Sequence, residues 1–385
     1  MTIFGVEWEG LTLSHVEGFL SAAEREPLSW EAKGTELRAE QVTKQVAGFA
    51  NAEEGGYLLL GFELVDGEWR TSGCAFPGDD PPVWVSNVVR TTLRPRPRLD
   101  VAHWEVGENK HVAVVRVDPV AEPPCVTSGG QLYERVSGET IPVKDPADIR
   151  ALYERGRAAA ERAEAVALRA IDAVNLGETA SPPGGGPWLY INVAIAPVGT
   201  ARDIAARVFA PGIDAELIED IDSMPTEPIA FEDRHTPRIS TRRVSQDAVT
   251  ISTRPEFVHA WHLRVAWDGS VAGLLRAFPG GGPGFQLVAN DFFVEAVRPL
   301  ATLVEKVARR VGGHGRAHVV LRILAWDVAL IHVTTIHERR TRSVPGEMAP
   351  IRRWADGDPW FDEELSESMK RDLLRACGFP AWEPQ

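Results

Sequence analysis

The chain has 385 residues, 44% hydrophobic and 25% charged, an ordinary globular composition that excludes an extended disordered polymer. That length predicts two domains, either of which can bury its own core. The formal net charge of −14, with residues 1–150 holding 14 Lys+Arg against 24 Asp+Glu, excludes a uniformly basic phosphate-coating protein, so any phosphate contact must come from local patches.

Residues 11–150 alternate short helices and strands. "LSHVEGFLSAAE" predicts an amphipathic helix and "LSWEAKG" a short strand. In "RAEQVTKQVAGFANA", Val42, Val46 and Phe49 recur at helical spacing, and the helix is expected to stop at Gly55-Gly56. "YLLLGFEL" predicts a strand covered on both faces. Asp66-Gly67 is a strong two-residue hairpin signal, returning the chain through "EWRTSGCAF". A helix ("VWVSNVVRTTL"), two strands ("LDVAHWEV", "HVAVVRVD") and two short strands ("QLYERV", "TIPV") complete a mixed domain, 1–150. The seam Ile149, Tyr153, Gly156, Ala160, Ala163, Ala167, Ala170, Val174 predicts a connecting helix over 151–176. Its small residues suit either a coiled-coil partner or packing on the helix's own domain. "GETASPPGGGP" (177–187) reads as a linker. Residues 188–385 predict a second α+β domain, with strands "WLYINVAIAP", "AVTISTR", "HAWHLRVAW", "SVAGLLRAF" and "RAHVVLRILAW", a long helix over 291–313, and a tail with a terminal helix. The predicted fold class is α+β, with a first domain that reads as mixed α/β or α+β.

Cys74, Cys125 and Cys377 are far apart with no CxxC pair, which excludes a readable zinc ribbon and suggests reduced thiols. The N-terminal residues carry acids where a signal peptide needs positive charge, and no apolar run reaches membrane-span length. The expectation is a cytoplasmic protein with no membrane partner.

Glu26, Glu31 and Glu63 are the candidate chemistry. Glu31 and Lys33 lie two apart on one strand and share a face, Glu26 precedes them by five residues, and Glu63 follows the buried strand. Three converging carboxylates suit Mg²⁺ or Mn²⁺ and phosphodiester work; acids near strand ends are otherwise ordinary solvated groups. Lys33 either orients a phosphate or neutralises Glu31. Asn51 either caps its helix end, the favoured reading, or reaches into a site. Tyr133 and Arg135 alternate on one strand, Arg135 serving either as a bidentate phosphate donor or as partner of a carboxylate.

The order of "EPLSWEAKG", "AGFANAEEGGYLLLGF" and "YERVSGETIPV" resembles the AlbA-like domain of the Schlafen family over residues 11–150. The resemblance implies that fold. It further implies, for some members, a metal-dependent endoribonuclease acting on transfer RNA, with Glu26, Glu31 and Glu63 as metal-holding acids; where relatives carry two consecutive acids, this chain has Glu63-Leu64. Many bacterial relatives are described as DNA-binding regulators or, loosely, as ATP-binding proteins, and pairing of lobes implies a homodimer for a single-lobe chain. Three functions follow: a Mg²⁺- or Mn²⁺-dependent nuclease, a non-catalytic RNA- or DNA-binding regulator, and a sensor or adaptor acting through the second domain. No P-loop motif is present. Arg90, Arg94, Arg96 and Arg98 form the first basic patch, and 233–243, 337–343 and 352–353 form three more, with Trp354 and Trp360 as candidate stacking residues. His314 and His318 have ligand-like spacing across a glycine-rich turn.

Overall fold

A computed structural model describes residues 2–23, 29–78, 80–136, 138–175, 188–200, 204–210, 241–252, 260–277, 286–288, 293–326, 330–334, 339–343, 349–356 and 359–376. The chain divides into two compact units, Met1–Ala158 and Ala159–Gln385. Both mix helices with mainly antiparallel sheet, an α+β architecture. The 177–187 linker lies outside the described residues.

The first unit begins with α1 (Leu13–Ala22), β1 (Trp30–Lys33), α2 (Ala39–Asn51), β2 (Gly56–Leu60), β3 (Phe62–Val65) and β4 (Glu68–Thr71). It continues with α3 (Pro81–Thr92), β5 (Leu93–Arg94), β6 (Leu99–Gly107), β7 (Lys110–Val117), β8 (Val126–Thr127), β9 (Tyr133–Val136) and β10 (Glu139–Pro142). Its main sheet has the order β1-β2-β7-β6. The β1–β2 pair is parallel and the others antiparallel. Alternation along β2 sends Leu58 and Leu60 to the face packed by α2 and α3. Leu59 goes to the opposite face, with Phe4, Leu11, Val16 and Leu20. Each fully buried leucine contributes about 1.5–3 kcal/mol over exposure. Glu31 lies beside Leu58 and Lys33 beside Leu60, so both point toward α2.

Three local expectations change. The apolar run 57–64 is two strands, because Gly61, at φ 87°, breaks it between β2 and β3. The helix ends at Asn51 rather than at the double glycine. A Cβ on Gly55 would strike the Val117 carbonyl and one on Gly56 the Phe49 ring, so the pair serves close packing and not a helix cap. The hairpin does form: Asp66 and Gly67 both have positive φ, 55° and 83°, as a two-residue turn joining antiparallel β3 and β4 requires.

Helix α4 (Pro146–Asn175) runs from the first unit into the second. The second unit continues with β11 (Trp188–Gly199), α5 (Ile204–Val208), β12 (Thr241–Val244), β13 (Ala248–Ser252), β14 (Ala260–Ala266), β15 (Val271–Ala277) and β16 (Gln286–Val288). A single π-turn at Phe293–Val297 leads into α6 (Arg298–Arg310). Then come β17 (His314–Trp326), β18 (Leu330–Thr334), β19 (Arg339–Ser343), β20 (Ile351–Ala355) and α7 (Glu363–Ala376). Seven antiparallel strands pair in the order β12-β13-β14-β15-β11-β17-β20. Ile191, Val193 and Ile195 face α5, α6 and α7, while Tyr190, Ala194 and Ala196 face Ala163, Ala167, Ala170 and Val174 of α4. The alanine seam from Ala163 onward therefore packs on its own unit's sheet, the second of the two readings of that helix.

Candidate functional site

The predicted site residues fall into a buried charge network, a loop tie and an exposed arginine arm. Glu31 belongs to the network. Its Oε2 accepts from Arg135 Nη1 at 2.6 Å, and its Oε1 accepts from Lys33 Nζ. The Arg135 side chain is 1% exposed and that of Glu31 9%. The same guanidinium donates to the Trp30 carbonyl at 2.9 Å and Thr140 Oγ1 at 3.2 Å, and lies 4.7 Å from the Phe49 ring centroid. Thr140 in turn donates to Gln45 Oε1. Arg135 and Thr140 are opposite residues of the β9–β10 hairpin, so one guanidinium ties that hairpin to β1 and α2. Gly48 permits the approach: a Cβ there would lie 2.6 Å from the Thr140 methyl. Arg135 is thus enclosed, the arrangement of an Arg–carboxylate pair and not of a phosphate donor open to solvent.

Glu63 does different work. Its Oε1 accepts from the Thr35 backbone N–H at 2.9 Å and its Oε2 from Ser72 Oγ at 3.1 Å. These bonds to Thr35 and Ser72, aided by the Lys110 charge, lower its pKa. The contact holds the Lys33–Thr35 turn, where a Cβ on Gly34 would collide with the Glu63 carboxylate. Glu26 lies outside the described residues. Among the described residues, no group of three or more His, Cys, Asp or Glu side chains is arranged to hold a metal ion. The Glu31 oxygens face two cationic donors and the Glu63 oxygens a backbone amide and a hydroxyl, so these two carboxylates do not fit a Mg²⁺ or Mn²⁺ site, which needs oxygens open to a bare cation.

Tyr133 donates through its hydroxyl to Gln131 Oε1 at 2.5 Å. Asn51 is 2% exposed and does not cap its helix. Its Nδ2 donates to the Cys125 and Tyr133 carbonyls at 2.9 and 2.8 Å, and its Oδ1 accepts from the Cys125 N–H at 2.6 Å. Burial pushes the Cys74 and Cys125 thiols up to about 12, so both are inert as nucleophiles. Gln45 and Thr140 were missed by the sequence reading. The available signal was a buried-side polar residue one position before Val46 in an otherwise apolar helix face.

The arginine arm runs from the end of α3 through β5. Arg90, Arg94 and Arg96 are exposed and Arg98 half-buried. Arg94 Nη1 donates to the Arg90 and Leu93 carbonyls at 2.7 and 2.6 Å, and Arg90 Nη2 to Asn87 Oδ1 at 3.2 Å. Among the described residues, no carboxylate lies within ion-pair distance of Arg90, Arg94 or Arg96.

In the second unit, Trp360 is buried, donating to the Gly315 carbonyl at 2.8 Å beneath Arg309, so it does not serve base stacking. Trp354 has Arg316 over one face at 4.5 Å and His318 against it at 4.9 Å. His318 packs in that core, whereas His314 Nδ1 contacts the Gly312 carbonyl at 3.1 Å; the two do not form a metal pair with a third ligand among the described residues. The 233–240 part of one basic patch and the 337–338 part of another lie outside the described residues. No helix among the described residues is long and apolar enough to cross a membrane.

Residues 26–144 match the family model described as "Schlafen, AlbA_2". No curated protein matches the chain. Among solved structures, the DIP2311 protein from Corynebacterium diphtheriae is 22% identical over 37% of this chain, with a TM-score of 0.26. The matched stretch spans 28% of that protein's length. Residues 26–144 carry a Schlafen AlbA_2 domain.

Proposed function

We propose that the chain is a nucleic-acid-binding protein whose first unit contacts the phosphate backbone of RNA or DNA through Arg90, Arg94 and Arg96. The observation that carries this reading is three exposed arginines with no carboxylate partner among the described residues, on a domain that is otherwise strongly acidic. Arg116 is neutralised by Asp100 here; Arg90 and Arg94 donate only to neutral oxygens, and a guanidinium without a carboxylate is suited to an external anion. Three phosphate contacts release counterions, so log K falls with log salt at a slope of about −2 to −3.

The test is fluorescence anisotropy with single-stranded RNA, transfer RNA and duplex DNA between low and moderate salt. The triple variant Arg90→Gln/Arg94→Gln/Arg96→Gln is expected to flatten the salt slope by about 2 or more while the protein stays folded. Identical slopes in wild type and variant would remove the arm from the interface. Incubation of the same RNAs with Mn²⁺ distinguishes the nuclease reading: cleavage by wild type that EDTA abolishes supports it, and binding without turnover supports the regulator. Self-association of single-lobe domains belongs to the same proposal, and sedimentation showing only monomer at micromolar concentration removes it.

A further inference from the structure

The family resemblance implies a divalent ion at Glu31, yet both oxygens of that carboxylate already face cationic donors. We infer that Glu31 is not a metal ligand but the permanent counter-ion of Arg135, the guanidinium and the Lys33 ammonium together occupying the place a divalent cation would take. The Arg135 side chain is 1% exposed, and a buried guanidinium requires a fixed anion within the fold. Glu31 Oε2, at 2.6 Å, is that anion. Glu31 Oε1 holds Lys33, leaving each carboxylate oxygen facing a unit positive charge. A Mg²⁺ or Mn²⁺ bound at about 2.0–2.2 Å from either oxygen would meet those two cations at close range, and the repulsion scales with its double charge. Arg135 has no way to withdraw, because it is also bonded to the Trp30 carbonyl and Thr140 and lies against Phe49. The pair thus does for the β9–β10 hairpin what a metal does in a metal-clamped fold: it joins three chain segments at a point of charge.

This inference holds whether or not the arginine arm binds nucleic acid, and its test reads metal binding and stability in the full-length chain. Isothermal titration with MnCl₂ is expected to show no stoichiometric site, and thermal melts in EDTA and in millimolar Mn²⁺ are expected to coincide. Glu31→Gln, which keeps the side-chain shape and removes the charge, is expected to lower the melting temperature by about 10 °C equally in both conditions. Should that variant fail to fold, the double variant Glu31→Met/Arg135→Met decides. Removing both charges together is expected to recover most of the loss, because no ion is left buried alone. A one-site Mn²⁺ isotherm in wild type overturns the inference, as does a double variant no more stable than Glu31→Gln.

Discussion

Asn51 and Cys125 exchange two hydrogen bonds, side-chain amide against backbone, with the Cys125 N–H donating to Oδ1 at 2.6 Å and Nδ2 donating to the Cys125 carbonyl at 2.9 Å. The amide imitates a neighbouring strand. It joins the last residue of α2 to a segment 74 positions away, and the same Nδ2 reaches the Tyr133 carbonyl. Because the site is buried, Asn51→Ala leaves a donor and two acceptors without partners at about 1–3 kcal/mol each. A loss of about 3 kcal/mol is expected in urea unfolding of the first unit. Asn51→Asp is expected to be no better, because a carboxylate would face two carbonyl oxygens. A loss under 1 kcal/mol for Asn51→Ala contradicts this account.

The second unit has a comparable tie. Glu305 is 4% exposed; its Oε1 accepts from the Trp360 N–H at 2.6 Å and from Arg309 Nε at 2.8 Å, and its Oε2 accepts from the Phe361 N–H at 2.7 Å. Glu305→Ala leaves two buried backbone donors unsatisfied and removes one contact of Arg309, and a loss of about 3 kcal/mol is expected. Hydrogen exchange localises it: the Trp360 and Phe361 amides should lose protection first. Unchanged protection at both would show that the carboxylate does not hold this segment.

Glu63 predicts a pH effect in the acid range. Its hydrogen bonds to Thr35 and Ser72 lower the folded-state pKa below the ordinary value of 4.5. The unfolded state therefore binds the proton more readily, and the stabilisation is full above 4.5 and lost as pH falls through the lower folded value. Urea midpoints of wild type and Glu63→Gln should converge as pH drops from 6 toward 3. A gap that persists at pH 3 assigns the effect to packing and not to charge.

His318 acts in a higher window. Burial lowers its pKa below 6.5, the nearby Arg352 charge works in the same direction, and Glu164 opposes both. The folded state thus favours the neutral ring, and stability is expected to decline as pH falls from about 6.5 toward the folded pKa. An NMR titration should place the His318 midpoint below 6.5, and His318→Phe should flatten the decline in the second unit. A midpoint above 6.5 would mean that Glu164 dominates the ring's surroundings.

Much of the architecture was legible because hydrophobic alternation is a local signal. The period-2 pattern of "VVLRI" sends Val319, Leu321 and Ile323 to one core and Val320 to the other, and Asp66-Gly67 specifies its turn by backbone conformation alone. The site was less legible because its meaning depends on partners distant in sequence. Glu31 reads the same as a metal ligand or a counter-ion until Arg135, 104 residues later, is seen against it. Glu-x-Lys spacing correctly put Glu31 and Lys33 on one face, but spacing does not reveal what fills the space before that face. Gly55-Gly56 misled in a similar way. A helix cap and a close approach both demand glycine, and only the nearby Val117 carbonyl and Phe49 ring distinguish them.

The proline- and glycine-rich run at 177–187 is where one would naturally divide this protein for expression in halves. Helix α4 makes that choice a poor one. Ala163, Ala167, Ala170, Ile171 and Val174, all upstream of the run, cover Tyr190, Ala194, Ala272, Leu274 and Val320. A fragment starting at residue 188 would present that greasy sheet surface to water and should precipitate, whereas one starting near Ala159 carries its own roof.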